Sequence, residues 1–398
     1  MLLGVVFHAS IGFMVGNVLG AFPAMEAEVT LWLATDRAAH TTYDAAVYVI
    51  HAFRMPVFFV LAGFFAHRVY QQRGARGFLL HRARRVLVPF VLALTTIVPL
   101  SYAIGYYAAL VRVPPTGVHD LASFLAYSTI PTGGQLEILT LHLWFLEYLL
   151  VFYLLTVAVV AVARALPAAV KRAAASVAYH AIGSRLAPLW LAALTWPAAY
   201  QMPEWSIQID VTLRTPLHLL AFYGVYYLAG WSLYARRDEI LACWGARSTA
   251  YLGLGLLFVL PVLVQAIGPA WQRAEGASRN VLDGVGHAAH ALFVALLTLG
   301  VIGLFVRRFP RPNGIVRYLA DASYWVYLAH FPLVGLLAVL VAQWALPGPL
   351  KLLGIVAVST GALLVVYQLV VRPTALGQLL GSGRSRQVAA SNDLASVE

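Results

Sequence analysis

Apolar runs of about 20 residues recur from one end of the chain to the other, each long enough to cross a bilayer core of about 30 Å as a helix. A backbone in lipid must satisfy its own polar groups, and runs this long do so as α-helices. With 61% of its 398 residues hydrophobic and 11% charged, the chain is neither an ordinary soluble globule nor a disordered segment. The expected fold is all-α, a polytopic membrane bundle of about ten helices at 1–22, 44–65, 86–107, 141–163, 186–199, 216–234, 251–267, 285–306, 322–346 and 350–371.

Charge supports that count. Alternate connections hold Arg68 to Arg85, then Arg164, Lys171, Arg172 and Arg185, then Arg236, Arg237 and Arg247, then Arg307, Arg308, Arg311 and Arg317. With Arg372, Arg384 and Arg386, 20 of the 27 basic residues fall on one side, which places both termini in the cytosol. The net charge of +11 therefore reflects orientation in a lipid bilayer, and no nucleic-acid partner is expected. Residues 1–372 form one expected transmembrane domain, and the Gly-, Ser- and Arg-rich 373–398 an expected disordered cytoplasmic tail. The first run lacks the basic residues that open a signal peptide.

Several polar residues sit where lipid makes them costly. Arg54 lies ten residues in from Asp44, beside His51, and a basic loop 68–85 follows that could hold phosphate. His8 shares a stripe with Gly12, Gly16 and Gly20, whose small surfaces let another helix approach, so the imidazole should face the bundle. Ser323, Tyr327 and His330 recur on one face of the ninth run. His330 lies about eight residues, hence about 12 Å, from the cytoplasmic edge. Burial favours the neutral imidazole, the state a general base requires. A polar seam that merely joins helices is the structural alternative.

The outer ends carry a second set: His51 and Arg54, then His142, Trp144 and Glu147, then Arg214 and His218, and Asp283 with His287 and His290. Arg54 and Glu147 are expected to pair, because an unpaired buried charge is expensive. The spacing of Asp283, His287 and His290 suits a hydrogen-bonding cup for a polar acceptor better than a metal, and no metal is expected. Serine-hydrolase elbow, zinc-protease and Walker motifs are absent from the sequence.

In this order, the first-run histidine, MPVFFVLAGFF, an Arg-x-x-Arg before proline, HLWFLEYLL and SYWVYLAHFPL resemble the acyltransferase-3 membrane family. The stretches RMPVFFVLAGFF, LHLWFLEYLLVFYLL and HLLAFYGVYYLAGWSLYARRDE are most similar to its glucan-succinylating type. The resemblance implies an inner-membrane O-acyltransferase that moves an acyl group from cytoplasmic acyl-CoA to a periplasmic carbohydrate acceptor, with no permanently bound cofactor. It implies His8 as base, Arg82 and Arg85 as the motif that engages the donor, and Ser323, Tyr327 and His330 as the late SY-x-x-Y-x-x-H segment. Beside it, the residues themselves offer Arg54 or Tyr327 for the oxyanion and Arg84 for the donor side. By their place at the outer ends, His51, His142, Trp144, Glu147, Arg214, His218 and His287 are expected on the acceptor side, and Glu147 is not given the family's catalytic acid role. Two positions depart from the pattern. The family's arginine eleven residues before the histidine would precede Met1, and Leu149 stands where many relatives have a glutamate. The rival class, a transporter of an anionic sugar or lipid, expects paired broken helices in related halves, which the sequence does not show.

Overall fold

The computed structural model describes residues 2–15, 36–111, 117–128, 138–203, 205–311 and 313–381. Among them the chain is helical apart from connections and one isolated bridge, Leu139 to Thr212. The helices are α1 (Leu2–Ile11), α2 (Thr41–Arg82), α3 (Val88–Val111), α4 (Leu121–Ser128), α5 (Trp144–Ala165), α6 (Ala168–Gly183) and α7 (Ala187–Ala199). They continue with α8 (Leu217–Leu233), α9 (Arg237–Leu254), α10 (Gly276–Arg308), α11 (Gly314–Val341), α12 (Gly348–Val366) and α13 (Ala375–Leu380).

Six helical runs are long and apolar enough to cross a bilayer: Thr41–Val111, Leu141–Ala165, Leu217–Arg273, Gly276–Arg308, Gly314–Val341 and Gly348–Val371. The first has 71 residues and the third 57, each more than twice the length one crossing needs. The first is broken at Gly74, whose φ of 63° is open to glycine. Beyond the break the chain folds back, so that Phe78 meets Tyr70 ring to ring. The third is broken at Arg236, with φ −131° and ψ 40°. The chain is a multi-pass, all-α membrane protein.

Three expectations change. The basic stretch 68–85 is not a loop but helix on both sides of Gly74, closed by a π turn at Ala83–Leu87. Arginine is a good helix former, and one glycine supplies the whole reversal. The stripe His8–Gly12–Gly16–Gly20 is not one helical face. Helix α1 stops at Ile11, and the Gly12 carbonyl accepts the amide of Asp36. Gly16 and Gly20 lie outside the described residues. The tail is ordered at its start, where α13 buries Leu380 and its Leu379 carbonyl accepts from Arg85. Residues 382–398 lie outside the described residues.

Helix α1 packs against α2, α11 and α12, which sets His8 inside the bundle. Helices α2 and α8 approach closely because two glycines face backbone. A Cβ on Gly63 would strike the Tyr227 carbonyl, and one on Gly230 the Val60 carbonyl. Gly63→Ala or Gly230→Ala should therefore cost about 1–3 kcal/mol in thermal unfolding of the purified protein. Gly253→Ala, which meets open space, should cost nothing. Equal effects at all three positions would show that the contact does not limit stability.

Candidate active site

Three imidazoles from three helical elements meet in the bundle. His8 of α1 lies 5.1 Å from His330 of α11 between ring centroids, and His142, just before α5, lies 5.2 Å from His330 and 6.5 Å from His8. Phe331 closes one side, stacked on His142 at 5.0 Å and edge-on to His8 at 5.1 Å.

Local sequence explains each position. His142 lies in a buried stretch that is not α-helical, where Thr140 bonds Val211 and Leu141 takes a left-handed φ of 50°. Buried backbone of this kind persists only when protein groups satisfy it. Pro332 has no N–H to return to the Leu328 carbonyl, and His142 Nε2 donates to that carbonyl at 3.0 Å. The Tyr327 hydroxyl in turn donates to the His142 carbonyl at 2.8 Å. His330 Nδ1 donates to the carbonyls of Tyr327 and Val326 at 2.8 and 3.0 Å.

These bonds determine the tautomers. His142 presents the lone pair of Nδ1 and His330 that of Nε2, both buried without partners. His8 is different. It is only partly buried, and its Nδ1 has no partner among the described residues. One imidazole free to take a proton thus stands beside two held as acceptors. If His8 becomes imidazolium, those two lone pairs face the new charge.

Arg54 is also here, against expectation in its partner. Its Cζ lies 3.8 Å over the Phe7 ring, and Phe7 stacks on His51 at 5.3 Å. Among the described residues Arg54 forms no ion pair, and the charge acting on Glu147 is another carboxylate, Asp210. The two charges emerge from α2 and α5 toward different neighbours, α1 and the 208–212 connection, so proximity in depth did not become contact.

Two elements lie differently from expectation. Helix α11 begins at Gly314, not near residue 322, so His330 is sixteen residues or about 24 Å along it. His142, placed with the outer set, belongs beside His8 and His330 because its segment turns into the bundle. Other expected residues are held elsewhere. His51 Nε2 donates to the Ile207 carbonyl, and His287 bridges the carbonyls of Met202 and Asp283. That face grips the 202–208 connection and so is no cup for a ligand; His290 and Tyr48 share the same grip. His218 meets Gln208, Arg214 is exposed, and Trp144 packs against Tyr148 and Tyr223. Ser323 bonds its own helix at Ala320.

The basic residues separate by height and face. Arg82 enters a cleft of about 490 Å³ lined by Phe65, Arg68, Gln72, Arg73 and His81, and its buried Nε and Nη2 have no partner among the described residues. Its guanidinium lies 4.8 Å over Tyr153. Arg84 is exposed, and Arg85 turns to the Leu379 carbonyl. The Tyr324 hydroxyl donates to the Arg85 carbonyl, and Tyr324 stacks on Tyr327. The arginine turn and the histidines are thus joined along α11, which rises about 9 Å from Tyr324 to His330.

The acyltransferase domain profile matches residues 1–370 of this chain. The chain belongs to the acyltransferase-3 family. It is similar to the glucans biosynthesis protein C of Salmonella agona and to that of Salmonella typhi, each at 22% identity over 84% of this chain and 79% of the relative. No solved structure is a significant match. Membership makes the protein a membrane O-acyltransferase. Of the positions that carried the sequence resemblance, His8, Tyr327, His330 and Phe331 meet around His142 and Arg82 enters the basic cleft, whereas Asp36 carried no signal that singled it out.

Proposed function

We propose that this acyltransferase takes a succinyl or acetyl group from acyl-CoA at the cytoplasmic face of the inner membrane and esterifies a hydroxyl of a periplasmic glucan or other extracytoplasmic carbohydrate. The carrying observation is His8, unbonded and partly open, beside two histidines held as lone-pair acceptors. His8 removes the proton as the acceptor oxygen attacks the thioester carbonyl. An O–C bond forms, the C–S bond breaks, and the proton passes from His8 to the departing thiolate. Tyr327 has committed its hydroxyl proton to His142, so it positions that ring and does not bind the oxyanion. The donor's phosphates fit the cleft where Arg68, Arg73 and Arg82 gather positive charge. The bias of basic residues supports a cytoplasmic face for that cleft.

Coenzyme A should stabilise the purified protein by about 2.7 kcal/mol at 100 times its Kd, read as a thermal shift. Arg82→Ala should weaken this binding about tenfold, the loss of one charge-assisted contact. A flat thermal response at saturating coenzyme A would sink the donor assignment and favour a transporter. Mass spectrometry of periplasmic glycans from cells with and without the gene identifies the acceptor.

A further inference from the structure

Arg54 is a buried cation without a counter-ion among the described residues. It is 8% exposed, its Nε is sealed and unpartnered, and no carboxylate bonds it. The groups around it are aromatic or neutral: Phe7 beneath, and His51 and His142 with their bonded nitrogens committed to carbonyls. A cation so placed carries a desolvation cost that the Phe7 ring offsets only in part. Among the described residues no acid supplies the negative charge, and a ligand that carries one would.

We infer that Arg54 binds the free carboxylate of a dicarboxylic acyl group, and so selects the acyl chain this enzyme transfers. The inference rests on the acyltransfer reading above and specifies its donor. Three features favour a carboxylate over a transient oxyanion. A guanidinium offers a planar fork that two carboxylate oxygens match. An oxyanion exists for only part of a turnover, whereas a donor carboxylate neutralises Arg54 from arrival. The position also suits a short diacid. Arg54 Nη1 lies 3.9 Å from where a Gly4 Cβ would stand, and Gly4 is on the face of α1 that carries His8, one turn or about 6 Å away. Three C–C bonds of about 1.5 Å place a succinyl carboxylate about 4 Å from its reacting carbonyl. The carboxylate oxygens and the attacking hydroxyl fill the rest of that interval. A side chain at Gly4 would occupy the same space.

The test compares wild type, Arg54→Gln and Arg54→Lys in lipid nanodiscs with succinyl-CoA and acetyl-CoA. Binding of monomethyl succinate, with neutral dimethyl succinate as control, is followed by thermal shift. Wild type should prefer succinyl-CoA, and Arg54→Gln should lower the succinyl-to-acetyl ratio of kcat/KM about 100-fold. Arg54→Lys, which keeps the charge and loses the fork, should fall between them. The monoester anion should stabilise wild type and not Arg54→Gln, and the diester neither. Arg54→Gln should fold at least as stably as wild type, since it removes an uncompensated buried charge. Parallel loss of succinyl and acetyl transfer would reassign Arg54 to the oxyanion and overturn the inference, as would equal binding of the diester. If neither thioester is a substrate but the monoester still binds through Arg54, the acyl-CoA reading fails and the carboxylate site stands.

Discussion

His8→Ala should lower acyl transfer about 1,000-fold, the scale of a positioned general base, while the purified protein still binds coenzyme A. The expectation follows from the different states of the three rings. His142 and His330 each give one nitrogen to a backbone carbonyl, which fixes the other as an acceptor. His8 has no such commitment at Nδ1 and is the partly open member of the group. The proton of the acceptor hydroxyl therefore goes to the ring that a substrate can reach, since His142 and His330 are buried. Removal of that ring leaves binding and orientation in place, so KM should change far less than kcat. Single-turnover transfer in nanodiscs decides the matter. Full activity in His8→Ala would end the mechanism, and equal loss of coenzyme A binding would show that the substitution acts through the fold.

The second large effect is on stability. Lys351→Met should destabilise the protein by about 3–5 kcal/mol, because it leaves a buried carboxylate alone. Lys351 Nζ lies 2.8 and 3.0 Å from the two Asp36 oxygens and 3.1 Å from the Ala342 carbonyl, and the pair is sealed from solvent. Asp36 also gives its amide to Gly12 at the end of α1. One ion pair thus ties the helix that carries His8 to the end of α11 and the start of α12. Replacing both partners with apolar groups removes the uncompensated charge, so Asp36→Leu with Lys351→Met should recover most of the loss. Denaturation of the four proteins measures this double-mutant cycle. If the double variant is no more stable than Lys351→Met, the pair is not the source of the effect. Because α1 is only ten residues long, Lys351→Met should also slow transfer by loosening His8.

Periodicity and cost made much of the site legible. Hydrophobic length alone required helices in lipid, and an imidazole or guanidinium inside such a helix had to face protein. That reasoning placed His8 and His330 in the bundle and marked Arg54 and Arg82 as unusual. It failed where distance along the chain stood in for position in space. Basic residues near the reversal at Gly74 read as a loop, yet only one residue there leaves helical geometry. Asp283, His287 and His290 read as one ligand face, but Asp283 bonds Trp205, His287 the Met202 carbonyl, and His290 the Tyr48 hydroxyl.

The composition and spacing of this chain were sufficient for its class, its helical spans and the inward face of its polar residues, since each is a local consequence of excluding water from the backbone. Which inward residues touch is set by helix starts, by rotation about each axis and by one proline. Gly314 begins α11 early, Pro332 frees the carbonyl that His142 takes, and the 138–143 segment bends inward to reach it. These depend on contacts between segments nearly 200 residues apart in the chain, and no local rule encodes them. The same holds for Arg54 and Glu147, two charges at similar depth that packing turned toward different neighbours.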